Sequence, residues 1–238
     1  MNVLLTGQRQ VGKTTVCKQV AELARGLGWD PAGLLSPALL DEDGLPVAYH
    51  ALMVSDGEQR LLARADGDLG GPRIGRYSFD ANVLSWVIGE LRRAISQGCD
   101  LLIVDEIGPL ELEQEKGLAP LLSDLIKGEI GQSQNGSPPQ VGVTESRTCS
   151  GVLCHSPNKL GTPTFLHDGS EDPGLLWDSP ARRDLPPLLL VVRPELVGQL
   201  RKRLAGIAFR TFTVTQENRQ ALPDAIVQEL FADYDPGK

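Results

Sequence analysis

The stretch Asn2-Val3-Leu4-Leu5-Thr6-Gly7-Gln8-Arg9-Gln10-Val11-Gly12-Lys13-Thr14 decides the fold. Residues 2–6 are a short apolar run ending on Gly7, the pattern of a buried parallel strand. Residues 7–14 match GxxxxGK[ST], in which glycines let the backbone curl so that its N–H groups converge on phosphate oxygens. Residues 13–27 then read as a helix with Val16, Val20, Leu23 and Leu27 on one side and Gly28 as its stop. The helix N-terminus adds partial positive charge at the loop. Lys13 can reach β- and γ-phosphates, and the Thr14 hydroxyl can ligate Mg²⁺. Strand, glycine-rich turn and helix open an α/β fold.

A second buried strand is legible in DLLIVDE at 100–106. A carboxylate at the end of a neighbouring strand is the usual metal-side partner of such a loop. Asp105 is therefore the candidate Mg²⁺ ligand, and Glu106 the group that orients or deprotonates an attacking water. PLLLVV at 187–192 and IAFRTFTV at 207–214 read as further parallel strands. Helices are expected at 80–97, with Val83, Leu84, Val87, Leu91 and Ile95 buried, and at 117–127, 195–204 and 221–231. Residues 33–64 differ: short apolar pieces alternate with DEDG and SDGE turns, the signature of an antiparallel meander at one edge of the sheet. Gly67 to Pro72 reads as a flexible connection. The fold class is thus α/β, three layers, with a mostly parallel central sheet.

Residues 132–187 break this rhythm, holding 8 of the 17 prolines with Gly, Ser and Asn among them. They are read as a largely disordered insertion in a single domain spanning 1–238, with a small second domain or a faulty gene model as alternatives. The 23 basic and 31 acidic residues leave a net charge of −8, which argues against bulk nucleic-acid binding. No run approaches the ~18 apolar residues of a membrane span. The first residues carry no basic leader, and four scattered cysteines form no disulfide framework, so a cytoplasmic protein is expected.

Other motifs carry less. Asp105-Glu106-Ile107-Gly108 also reads as DxxG, but Asn158-Lys159-Leu160-Gly161 has Gly161 where a guanine-reading motif needs a carboxylate. Cys149, Cys154, His155 and His167 match no strong zinc spacing. Cys17 reads as a small core residue, and Trp29, Trp86 and Trp177 carry no motif.

GxxxxGKTT, the early meander, RIGRY at 73–77, DEIGPLEL at 105–112 and the late VTQENR together resemble the nucleoside-triphosphatase family typified by the cancer-related nucleoside-triphosphatase and its thermophile homologues. The resemblance covers about 1–130 and 187–232. It implies a P-loop domain of the RecA-like group, and slow Mg²⁺-dependent hydrolysis of ATP, GTP and other nucleoside triphosphates; CTP and UTP are expected among the substrates, and the chain is expected to be a monomer. It makes Gly7, Gln8, Arg9, Gln10, Val11, Gly12, Lys13, Thr14 and Thr15 the phosphate loop, with Asp105 on the metal and Glu106 as the catalytic carboxylate. It brings Arg73 and Arg76 near the nucleotide, Arg76 as a guanidinium on the transferring phosphoryl group, and Asn218 and Arg219 beside base or sugar. For the arginines the alternative is a surface ion pair, and for Asn218 and Arg219 a helix-capping turn. Gln8, Arg9 and Gln10 depart from the smaller residues usual in the family, and the insertion departs from its short connection. A P-loop kinase with 66–76 as a lid, and a non-catalytic nucleotide-binding regulator, are the rival readings.

Overall fold

The computed structural model describes residues 1–127 and 185–232. The insertion, the Cys and His residues at 149–167, Asn158 to Gly161 and Trp177 lie outside the described residues. Strand β1 (Asn2–Thr6) leads into helix α1 (Lys13–Gly26). Six strands come next: β2 (Pro31–Leu35), β3 (Ala38–Leu40), β4 (Pro46–Met53), β5 (Gln59–Arg64), β6 (Gly70–Ile74) and β7 (Tyr77–Asp80). Then come α2 (Ala81–Gln97), β8 (Leu101–Ile107), α3 (Pro109–Leu112) and α4 (Ala119–Lys127). The rest is β9 (Leu188–Val192), a 3₁₀ turn at Pro194–Leu196, α5 (Val197–Arg203), β10 (Phe209–Thr213) and α6 (Leu222–Leu230).

The strands form one sheet ordered β10-β1-β9-β8-β2-β4-β5-β7-β6, with β3 added on β4. From β10 to β2 every pairing is parallel; from β2 outward every pairing is antiparallel. The inner parallel strands β1, β9, β8 and β2 are buried on both faces because helices cover both, while β10 at the edge exposes Arg210, Thr211 and Thr213. Val3 and Leu5 of β1, Leu101 and Ile103 of β8, and Leu189 and Val191 of β9 pack with Val16, Val20, Ile226 and Val227 of α1 and α6. The alternate residues Leu4, Leu102, Val104, Leu188 and Leu190 join Val87, Leu91, Leu121, Leu122 and Leu200 of α2, α4 and α5. The strand period of two is thus what splits the core into two halves.

Local chemistry sets the element ends. The Asp80 carboxylate accepts from the backbone N–H groups of Asn82 and Val83 and starts α2, whose buried residues are the five expected. Helix α1 differs from expectation. Its sheet-facing stripe is Val16, Cys17, Val20, Ala21 and Ala24, while Leu23 and Leu27 are exposed. Small residues bring the helix close to the strands, and Leu27 lies past the last helical residue.

The stretch 33–40 divides in two. Gly33, Leu34 and Leu35 belong to the fully buried β2, which pairs in parallel with β8; the antiparallel pairing begins on its other edge, with β4. A Cβ at Gly33 would sit 2.1 Å from the Ile103 carbonyl oxygen, so the two strands approach where no side chain fits. The connection expected at 67–72 contains the start of β6, an edge strand. A Cβ at Gly71 would lie 2.3 Å from the Phe79 carbonyl oxygen, so that glycine serves close strand pairing. Trp29 stacks against Phe231, and Trp86 lies under the Arg60 guanidinium.

Candidate active site

The loop after β1 curls through backbone that favours glycine. Gly7 has φ 150°, and a Cβ there would meet the Val214 carbonyl oxygen at 2.8 Å. Gly12, at φ 106°, is the N-cap of α1, and its carbonyl accepts from the Val16 N–H. Between them Gln10 takes φ 59°. The Lys13 side chain is buried and its Nζ donates to the carbonyls of Gly7 and Gln8, each at 3.0 Å. That cation is held inside the loop's curl. Gln8, Arg9 and Gln10 are exposed, so their size is tolerated; the Gln10 amide donates to the Gly44 carbonyl in the turn between β3 and β4.

The carboxylate strand is not the neighbour of β1. Strand β9 lies between β1 and β8, pairing with each in parallel. This correction to the sequence reading places the tip of β9 between the loop and the carboxylates. Asp105 is 2% exposed and accepts from the Thr14 hydroxyl and, at 3.3 Å, from the Ser36 N–H. Burial pushes its carboxyl up to about 6, against the Thr14 hydrogen bond, and neighbouring Glu106 adds to the rise. A buried carboxylate beside a threonine hydroxyl, with the Lys13 ammonium offsetting only part of its rise, is an all-oxygen donor pair of the kind Mg²⁺ accepts. No group of three His, Cys, Asp or Glu side chains capable of holding a metal occurs among the described residues. The thiol of buried Cys17 is pushed well up by burial and then by Asp105, as befits an inert core residue.

Glu106 makes a hydrogen-bonded ion pair: Arg193 Nε donates to its Oε1 at 2.6 Å. Arg193 directly succeeds the last residue of β9. The sequence reading missed it, although a cation ending the run LLLVV mirrors the carboxylates ending LLIV. The hydroxyl of Tyr49 on β4 is pushed up by burial, then by Tyr77, and also feels Glu106 and Arg193. The two tyrosine rings stand edge to face at 5.3 Å.

The other expected residues divide. Arg76 donates to the Pro46 carbonyl and lies over the Tyr77 ring, at the root of the hairpin whose turn holds Gln10. Arg73 pairs with Asp68 at 3.6 Å on edge strand β6, and the structure does not bring it onto the phosphate loop. The segment 66–76 is built into that edge. The Asn218 side chain is consumed in a local turn: its Oδ1 accepts from the Thr215 N–H and its Nδ2 donates to the Thr213 carbonyl. Arg219 does reach the loop, its Cδ lying 3.6 Å from where a Gly12 Cβ would stand. Gly12, Thr15, Val16, Gln19, Arg219 and Gln220 line a groove of about 310 Å³.

Glu111, in the segment 105–112, is a buried carboxylate with a structural task. It accepts from the N–H groups of Gly108 (2.9 Å) and Leu118 (3.1 Å), closing the loop after β8. Burial pushes it up from 4.5 to about 7 despite those donors. The folded state therefore holds its proton more tightly than the unfolded chain. This contribution to stability is full below the ordinary carboxylate range and lost as pH rises through about 7, by up to about 3 kcal/mol. Urea unfolding of wild type is expected to show stability falling from pH about 5 to about 8. Glu111→Gln should be less stable at the acid end, with a shallower slope.

A phosphate loop between strand and helix, with paired carboxylates ending a strand one removed, defines a P-loop nucleotide-binding protein. The chain belongs to the NTPase family, whose sequence model matches residues 2–130. It is 36% identical over 112 residues to "Nucleoside-triphosphatase THEP1" of Methanopyrus kandleri, covering 47% of this chain and 60% of that one. To the protein of the same name from Thermotoga sp. (strain RQ2) it is 36% identical over 151 residues, covering 62% of this chain and 82% of that one. The chain spans less than two thirds of the first curated relatives it matches: 60%, 65% and 61% of their lengths. Among solved structures, THEP1 from Aquifex aeolicus superposes with TM-score 0.56 at 14% identity, covering 97% of this chain and 99% of that one. A human cancer-related nucleoside triphosphatase superposes with TM-score 0.58 at 19% identity, covering 98% and 99%. Both share the fold.

Proposed function

We propose that this protein hydrolyses nucleoside 5'-triphosphates (ATP, GTP, CTP and UTP) to the diphosphate and phosphate, slowly, with Mg²⁺, as a cytoplasmic monomer. The observation that carries the reading is the convergence of a buried Lys13, the Thr14–Asp105 pair and Glu106 at the ends of β1 and β8. The N–H groups of the loop and Nζ of Lys13 bind and neutralise the β- and γ-phosphate oxygens. Thr14 and Asp105 would hold Mg²⁺, which supplies charge neutralisation across those phosphates when bound. Glu106 accepts a hydrogen bond from the attacking water and aligns it with the γ-phosphorus. Arg76, held on the Pro46 carbonyl, is proposed as a guanidinium that stabilises charge on the transferring phosphoryl group. Gly12 and Thr15 stay against the phosphates. Arg219 supports the nucleoside end of the groove, with Gln19 and Gln220. Such long side chains adapt to several bases, so base choice is broad. No helix among the described residues is long and apolar enough to cross a membrane.

Incubation with each of the four nucleotides, with Mg²⁺ or with chelator, and product analysis afterwards, tests this. Free phosphate and diphosphate from several nucleotides are expected, only with Mg²⁺. Transfer of the γ-phosphate to an added alcohol or nucleic-acid end would make it a kinase. Tight binding without either product would make it a regulator.

A further inference from the structure

Glu106 is restrained. Arg193 engages Oε1 of its carboxylate at 2.6 Å, which fixes the direction in which the free Oε2 can accept from a water. Both side chains are about a quarter exposed, 28% and 23%, so the pair is neither locked in the core nor loose on the surface. The guanidinium donates through Nε alone. Its two Nη nitrogens make no hydrogen bond among the described residues. Arg193 also stands at the end of β9, the strand between the phosphate loop and the carboxylates. A triphosphate on that loop brings a dense negative charge to the same edge of the sheet. Guanidinium binds phosphate oxygens at least as well as it binds a single carboxylate oxygen.

We propose that Arg193 exchanges partners: it restrains Glu106 when the loop is empty or holds a diphosphate, and turns to the γ-phosphate when a triphosphate binds. The exchange lets the Glu106 carboxylate turn toward the attacking water only when there is a bond to cleave. The inference rests on the hydrolytic reading of the same site.

The test is binding of a non-hydrolysable triphosphate analogue and of the matching diphosphate by calorimetry, with Mg²⁺, alongside phosphate release. Wild type should prefer the triphosphate. Arg193→Ala should lower that preference about tenfold, change diphosphate affinity less than twofold, and lower kcat at least tenfold. Glu106→Gln should bind the triphosphate analogue about fivefold more tightly than wild type, because its amide releases the guanidinium. The double variant should lose that gain. Arg193→Lys keeps the charge and should recover part of the triphosphate preference, which guards against a folding defect. An unchanged preference in Arg193→Ala, or no gain in Glu106→Gln, overturns the exchange and leaves an ordinary ion pair. The binding arms do not depend on turnover. Exchange signatures without phosphate release would overturn hydrolysis and retain the switch.

Discussion

Lys13→Ala is expected to lower phosphate release at least about a hundredfold and to weaken triphosphate binding by about tenfold or more. The reasoning starts from burial. Lys13 is only 7% exposed, so its ammonium was desolvated during folding and is held by two carbonyls within its own loop. It is a cation already positioned, and moving from the carbonyls of Gly7 and Gln8 to phosphate oxygens requires a small side-chain change. Alanine removes both the charge and the donor that stabilises the curl. Because Gln8 is exposed, water can take over its carbonyl, whereas the buried Gly7 carbonyl loses its donor, and the expected loss of folding stability is about 2 kcal/mol. Parallel measurement of kcat, triphosphate affinity and urea unfolding separates the effects. Wild-type turnover in Lys13→Ala would remove the phosphate loop from the mechanism.

Asp105→Asn is expected to reduce Mg²⁺-supported turnover by about a hundredfold or more while leaving the nucleotide-free protein as stable as wild type, or more so. The two effects have one cause. The carboxylate is 2% exposed and sits beside Glu106; its value of about 6 lies above its ordinary 3.8. Its ionised form therefore costs stability at neutral pH, by at most about 3 kcal/mol. Asparagine removes that cost but keeps one oxygen to accept from Ser36 or Thr14, for a net gain of about 1 kcal/mol after the lost acceptor. Thermal unfolding at pH about 8 without nucleotide, set against Mg²⁺-dependent phosphate release, checks both signs. Strong destabilisation with turnover unchanged would make Asp105 a structural residue.

The parts of this fold that were legible in the sequence share one property: their local pattern and their tertiary environment agree. β1, β8 and β9 are apolar runs because both faces are covered, and α2 shows its buried stripe in the spacing of Val83, Val87 and Leu91. The reading failed where tertiary contacts decide. Nothing in the spacing of α1 distinguishes exposed Leu23 from buried Ala24; closeness to the sheet does. Nothing in GGPR announces a strand, because Gly71 is required by the approach of the Phe79 backbone.

The site shows the same division. Residues 7–14 were readable because a phosphate cradle needs glycines and a lysine at fixed spacing. Asp105 and Glu106 were readable as charges ending an apolar run. Arg193 was not, because the ion pair joins residues 87 positions apart, on neighbouring strands whose connection contains the insertion. Asn218 looked like a ligand residue, yet its side chain is spent on its own turn. Arg219, its neighbour, lies against Gly12.

The most direct test of the central claim, that water held by Glu106 attacks the γ-phosphorus, is hydrolysis of a triphosphate in ¹⁸O-enriched water with mass analysis of both products. The account predicts one labelled oxygen in the released phosphate and none in the diphosphate, with the labelled product nearly absent in Glu106→Gln. Label in the diphosphate, or phosphate release undiminished in Glu106→Gln, would contradict it.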